Sequence, residues 1–429
     1  MSNTKGLLSQ SLLVVSMRIV AAIAGFLMTL SISRSLSPEE AGLIFLALAI
    51  YAVLGTVSTM GFTTSIVRSV ASLSVNNNWS VIMGTFWGAI TITCVFSVFV
   101  VTLVFISNEF VSEKIFENSG LSPVVTIIVT ALPLYVMTQV ISYAFQGLSR
   151  PLISVYLLNI STQLVVVAVT FCFVLFKVSL SPETLAEVYA SAAALTFLVG
   201  LFLWMAQPQT KEKSDYSQLG EAVARARPIW GVNTMSIAVQ WCGVLIVGVY
   251  ASSVEVAYFS VAQRLSLVVS VVLIAVNSVV APRFATIAQS KDNEELKDVF
   301  FYSTRILMSI SIPVLAVTLI LAPRLMMLFG DDYLEGAALL RILVLGQFFN
   351  VLSGSVGNVL NMAGFEKDLR NAVAMSAVVA MGGCLVLSPI YGSLGAAVAI
   401  AISVICRNFI CVYYVNLRLG FNPLKMFGK

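Results

Sequence analysis

Twelve apolar stretches of about 20 residues, each long enough to cross a bilayer, take up nearly the whole 429-residue chain. They fall near residues 11–33, 41–64, 81–107, 122–146, 151–176 and 187–206, then 228–250, 256–282, 304–329, 336–361, 370–390 and 393–417. Hydrocarbon offers the backbone no hydrogen-bond partners, so such stretches must satisfy themselves as helices. Only 10% of residues are charged, against about 25% in soluble domains, which excludes a soluble fold. The expectation is an all-α polytopic membrane protein with twelve transmembrane helices. Pro133, Pro313 and the Gly-rich "SGSVGN" mark expected kinks. Ser31–Ser33 resembles a signal-peptide cleavage site, but the run before it is too long and contains Arg18, so the segment is expected to be retained.

Orientation follows from loop cations. With the N-terminus in the cytoplasm, sixteen Lys and Arg fall on inside segments, among them Lys5, Lys211, Lys291, Lys425 and Lys429, and five fall outside. Three more, Arg18, Arg264 and Arg407, lie inside spans. Both termini are therefore expected on the cytoplasmic side, which in a bacterium is that of the inner membrane.

Several chemistries are disfavoured. The chain contains no histidine, the commonest metal ligand and general base. Its six cysteines lie in apolar runs without metal-ligand spacing and read as small packing residues. The longest outside loop, "SNEFVSEKIFENSG", has fourteen residues, too few for the extramembrane lobe that sugar-polymerising chemistry usually needs. No enzyme activity, cofactor, metal or nucleic-acid partner is expected.

The longest polar interruption, "QPQTKEKSDYSQLGEAVARARP", lies near the middle of the chain. Six spans precede it and six follow. We read residues 1–206 as an N-terminal lobe, 207–227 as a cytoplasmic linker and 228–429 as a C-terminal lobe. Within and just after the linker, Leu219, Val223, Ala226 and Trp230 have helical spacing, so an amphipathic segment along the membrane surface is expected. The halves echo each other: "SPEEAGLIF" aligns with "SSVEVAYFS" at an offset of 215, and "FQGLSRP" with "NMAGFEKD" at an offset near 217. An even number of spans per half implies two pseudo-symmetric six-helix lobes about an axis along the membrane normal, with the site in a central cavity between them.

A charge at bilayer depth costs about 2.5–3.5 kcal/mol on insertion scales and marks a functional site by default. None of the 20 acidic residues falls inside a span; Glu187 and Glu255 sit at outer boundaries. The three arginines thus have no obvious carboxylate partner in the membrane, and unpaired cations favour an anionic cargo. Arg18 and Arg264 are the leading cavity candidates. Arg407, in the terminal span, is the more peripheral. Each has a structural alternative, snorkelling to an interface or capping a neighbouring helix. Asn233, Gln240 and Trp241 share one span, Gln139, Tyr135 and Tyr143 another, and Asn277 with Asn350, Asn358 and Asn361 lie further on. Such groups can meet sugar hydroxyls, or form interhelical hydrogen bonds of about 0.6 kcal/mol each. Asn233 and Gln240 are the two taken as substrate-binding candidates.

The stretches "SRSLSPEEAGLIFLALAI", "QGLSRP" and "LFGDDYLEGAALLRILVLGQFF" resemble the polysaccharide exporters of the MOP superfamily, the Wzx-type O-antigen flippases. The likeness extends to length, span count and central linker. It implies a MATE-like architecture, with two six-helix lobes packed in a V around a central cavity. It also implies an anionic cargo, an oligosaccharide repeat unit on a polyprenyl pyrophosphate, moved to the outer leaflet by alternating access for O-antigen or a similar lipopolysaccharide or surface polysaccharide. Membrane lipid and polysaccharide-assembly proteins are the implied partners. The guanidinium fork matches a pyrophosphate. Three alternatives remain: a cation-coupled multidrug exporter of the same superfamily, which the missing intramembrane carboxylates disfavour; a lipid II flippase; and a membrane polysaccharide polymerase.

Overall fold

The computed structural model describes residues 2–207, 212–290 and 293–424, with side chains from residue 13 onward and for part of 270–293. Lys211, Lys291, Lys425 and Lys429, and the Lys5 side chain, lie outside what is described. The described chain is helical, with no strand among the described residues. The elements are α1 (Ser2–Ser35), α2 (Pro38–Ser58), α3 (Phe62–Val75), α4 (Trp79–Phe110), α5 (Leu121–Thr130), α6 (Leu132–Gly147), α7 (Pro151–Asn159), α8 (Ser161–Leu175) and α9 (Pro182–Met205). They continue with α10 (Leu219–Tyr250), α11 (Ser253–Ser290), α12 (Asn293–Ile320), α13 (Ala322–Met327), α14 (Ala337–Leu352), α15 (Val356–Met362) and α16 (Glu366–Leu419).

Among the described residues, eight helices are long and apolar enough to span a membrane, and ten if two bent pairs each count as one. The 54-residue α16 is itself two helices joined at Gly392, whose φ of 57° and ψ of −136° interrupt it. With α11 on the eighth apolar stretch, the arrangement is consistent with twelve spans. The chain is a multi-pass membrane protein.

The kinks have local causes. The α5–α6 pair bends by 44° beside Pro133, which lacks the N–H its helix would use. "SGSVGN" separates α14 from α15 at Gly354, φ +70°. Pro313 is tolerated inside a continuous α12.

Tertiary contacts divide the chain into two compact units, Met1–Trp241 and Cys242–Lys429. In the first, Trp204 stacks on Phe86 at 4.1 Å and meets Phe145 edge-on at 5.4 Å, in a core that includes Ile66, Val70 and Ala226. The start of α10 belongs to this unit. Its apolar face, expected along the membrane surface, is spent on protein: Ala222 and Ala226 are buried, and Ser65 on α3 donates to the Ala222 carbonyl at 2.7 Å. Trp230 Nε1 donates to Val57 O at 2.8 Å. Gly61 (φ +78°) permits this approach, since a Cβ there would strike the Ala226 carbonyl. The amphipathic α3 lies in a stretch that hydropathy leaves mostly outside the spans. The second unit has its own core around Phe284, Phe300, Val359 and Val415.

The internal echo has a structural basis. Ser37 and Glu40 form a reciprocal capping box at the start of α2: Ser37 N–H donates to Glu40 Oε2 at 3.0 Å and Glu40 N–H to Ser37 Oγ at 3.4 Å. Ser252 and Glu255, each 215 positions later, occupy the same places at the start of α11, where Glu255 N–H donates to Ser252 Oγ at 3.3 Å. The second pair of turns also repeats at 215. Arg150 N–H reaches Phe145 O at 2.9 Å and Phe365 N–H reaches Leu360 O at 2.9 Å, with Ser149 and Gly364 at positive φ in the same place. The sequence alignment near 217 is thus two residues out at this turn.

Candidate functional site

Arg18 lies on α1 about 26 Å from Ser35 at 1.5 Å per residue. Its side chain is exposed, and it lies on the other side of the helix from the exposed apolar stripe of Leu13, Val20, Ile23 and Leu27. An exposed apolar stripe is what lipid demands, and Arg18 is turned away from it, on the side where Gly25 and Thr29 are buried two and three turns further on. Arg18 has no hydrogen-bond or ion-pair partner among the described residues.

Arg264 lies about 17 Å along α11 from Ser253. It is half-buried, between Ala262 and Leu265, which are buried. It too has no hydrogen-bond or ion-pair partner among the described residues. A half-buried cation without a counter-charge carries an uncompensated desolvation cost, which an anion would relieve.

Arg407 differs. From the second half of α16, its Nη2 approaches Asn350 Oδ1 at 3.5 Å, and Asn350 Nδ2 donates to Gln347 Oε1 at 3.2 Å. Next to it, Asn408 accepts from Ser353 Oγ at 2.8 Å. A small apolar recess opens here, lined by Phe349, Leu352, Ile405, Phe409 and Val412 as well as Ser353 and Asn408. Arg407 thus belongs to a polar network tying α14 to α16.

The two amides also part company. Asn233 is half-buried and its Nδ2 donates to Thr63 Oγ1 at 3.3 Å, joining α10 to α3. Gln240, two turns on, is exposed and has no hydrogen-bond partner among the described residues. No described hydrogen bond or ion pair links any two of the five candidates.

The carboxylates are engaged elsewhere. Glu255 Oε2 accepts from Ser393 N–H at 2.8 Å. Asp368 receives Arg418 Nε at 2.8 Å and Nη2 at 3.4 Å. Sequence reasoning did not find Tyr51 and Tyr189; inside the first unit the Tyr51 ring meets those of both Tyr135 and Tyr189. Their signal is weak, one tyrosine on each of two other spans.

Residues 32–338 match the sequence model of a family described as polysaccharide biosynthesis protein (Polysacc_synt_3). No curated protein matches the chain by sequence. Among solved structures, an inward-facing multidrug resistance MATE family transporter of the MOP superfamily superposes with a TM-score of 0.78 at 11% identity, over 98% of this chain and 100% of that one. The lipid II flippase MurJ in an inward closed conformation gives 0.77 at 14% identity, over 97% and 91%. A MOP superfamily transporter from Pyrococcus furiosus gives 0.63 at 12% identity, over 97% and 96%. The fold is that of the MOP-superfamily transporters.

Proposed function

The chain belongs to the polysaccharide biosynthesis protein family, and on that premise we propose that it carries a polyprenyl-pyrophosphate-linked oligosaccharide from the cytoplasmic to the outer leaflet of the bacterial inner membrane. A membrane transporter of MOP type is the coarser statement that family and fold give together. One observation carries the finer reading: Arg18 and Arg264 stand at membrane depth without an ion-pair partner among the described residues. Two such cations suit a pyrophosphate, which accepts bidentate hydrogen bonds from guanidinium groups.

In this reading Arg18 and Arg264 hold the pyrophosphate and Gln240 contributes to the sugar, while the prenyl tail stays in lipid. Asn233 and Arg407 stand at the margin of the site, since each is already tied to a neighbouring helix. Both termini are cytoplasmic, and alternating access exposes the head group to each side in turn. The membrane potential assists. Moving roughly two negative charges outward across an inside-negative membrane gains about 2.3 kcal/mol per charge per 100 mV.

The test is transport by purified protein in proteoliposomes, offered a labelled polyprenyl-pyrophosphate oligosaccharide and, separately, an organic cation. Movement of the lipid-linked sugar, lost in the Arg18→Ala Arg264→Ala double mutant, supports the reading. Movement of the cation alone replaces it with a multidrug exporter. Normal flipping by an inserted double mutant removes the role given to the arginines.

A further inference from the structure

Three spans of the first unit bring phenol rings together. Tyr51 on α2 lies 4.9 Å from Tyr135 on α6 and 5.7 Å from Tyr189 on α9, centroid to centroid, the first pair tilted at 38° and the second edge-on at 89°. The arrangement is held from below. Tyr51 is 2% exposed, and its hydroxyl donates at 3.4 Å to the carbonyl of Ala131, at the bend between α5 and α6. Gly55, one turn beyond Tyr51, leaves room for the Tyr135 ring: a Cβ there would lie 2.5 Å from Cε1 of that ring.

The upper side of the cluster is different. Tyr135, Tyr143 and Tyr189 are half-buried. The Tyr189 hydroxyl has no hydrogen-bond partner among the described residues, yet it is not one of the sealed-in unsatisfied oxygens. Gln139 lies one helical turn from Tyr135 and within interaction range of its hydroxyl, and Tyr143 follows one turn later. Tyr135, Gln139 and Tyr143 thus form an i, i+4, i+8 row, with Tyr189 across from it. Aromatic faces alternate here with hydroxyl and amide groups, and lipid would leave those polar groups without partners.

An apolar drug would use the rings and leave the hydroxyls and the amide unmatched. A cation would use the ring faces but leave the hydroxyls and the amide without acceptors for their hydrogens. Glu187, the nearest acid to Tyr189 in sequence, sits two positions away, roughly 200° round the helix. A pyranose ring offers both complements, a C–H face to lay on an aromatic ring and a rim of hydroxyls to pair with Oη and the amide. We propose that Tyr135 and Tyr189, floored by Tyr51 and joined by Gln139, form a stacking platform for a sugar ring of the cargo. The platform rests on the proposed function above, and gives the saccharide its own subsite apart from the arginines.

The experiment measures binding to the full-length protein in lipid nanodiscs, with two probes: bare undecaprenyl pyrophosphate, and the same lipid bearing one N-acetylglucosamine. In the wild type the sugar is expected to tighten binding about tenfold. Tyr135→Ala and Tyr189→Ala should each remove most of that increment and leave affinity for the bare lipid unchanged. Tyr135→Phe and Tyr189→Phe, which keep the rings, should retain part of it and serve as folding controls. If the sugar adds nothing in the wild type, or adds as much in both Ala variants, the platform is overturned while the pyrophosphate reading stands. If neither lipid binds the wild type, both fall.

Discussion

Glu255, at the start of α11, accepts a 2.8 Å hydrogen bond from the backbone N–H of Ser393 and so caps the second helix of the α16 hairpin. Its counterpart Glu40 turns back to its own N-cap Ser37, so the repeat has kept the carboxylate and changed its employment. Gly392, just before the capped N–H, sits at φ +57°, and a Cβ there would come within 2.6 Å of Glu255 Oε2. We expect Glu255→Ala to destabilise the protein in detergent by about 1.5–3 kcal/mol, the range for a hydrogen bond to a charged group. Glu255→Gln, which keeps an acceptor, should cost less. Gly392→Ala should cost at least as much, through backbone strain and the same contact. Thermal unfolding followed by tryptophan fluorescence checks the order.

The other end of that hairpin is closed by Arg418 and Asp368, through Nε at 2.8 Å and Nη2 at 3.4 Å. The Asp368 side chain is 11% exposed but that of Arg418 is 47% exposed, so solvent screens the pair. Arg418→Lys keeps the charge and loses the fork. The expected outcome is a small drop in melting temperature for Arg418→Lys or Asp368→Asn, which shrinks towards zero in high salt. A large, salt-insensitive drop would show that the pair is sealed from water.

Trp204 is fully buried between Phe86 and Phe145, yet its indole N–H has no hydrogen-bond partner among the described residues. Trp204→Ala should therefore cost about 3–5 kcal/mol, the usual range for emptying an aromatic site. Trp204→Phe should cost far less, because deleting an unsatisfied donor offsets part of the lost volume. Equilibrium unfolding of the two variants separates the contributions.

Ser65 ties α3 to the start of α10 by its 2.7 Å bond to the Ala222 carbonyl. Ser65→Ala should cost about 1 kcal/mol and raise protease sensitivity in residues 212–218. Gly88→Val should do more, because even a single added carbon would lie 2.6 Å from Leu219 Cδ1. Limited proteolysis reports both.

The spans were legible because a bilayer imposes one rule, length with apolarity, that reads straight from composition. The caps "SPEE" and "SSVE" were legible as a repeat, although not as caps whose carboxylates serve different partners; that difference depends on Ser393, far along the chain. The α3 helix was obscured because its apolar face is narrow and its polar face carries serines and Arg68. At the candidate site, the arginines stood out as charges in the wrong solvent. That Asn233 is spent on Thr63 and Arg407 approaches Asn350 was hidden, because interhelical partners leave no periodic trace. For the same reason the row Tyr135, Gln139 and Tyr143 was visible on one helix, but its completion by Tyr51 and Tyr189 was not.

The three intramembrane arginines should separate in one experiment. Arg18 and Arg264 have no ion-pair partner among the described residues, whereas Arg407 approaches Asn350 within a network reaching Gln347. If the first two hold an anion, each replacement by Ala removes charge-assisted hydrogen bonds of about 1.5–3 kcal/mol, which corresponds to roughly 10- to 150-fold weaker cargo binding. Folding should change little, because no native partner is orphaned, and relief of an unpaired half-buried charge can even raise the melting temperature of Arg264→Ala. Lysine at either position keeps the charge without the fork and should fall between arginine and alanine. Arg407→Ala should show the reverse pattern, with a lowered melting temperature, since Asn350 loses a neighbour, and near-normal affinity for undecaprenyl pyrophosphate. Nanodisc binding and thermal unfolding on the same preparations decide it. An Arg407 variant that loses cargo and keeps its stability would move the anion to the α14–α16 network and its apolar recess.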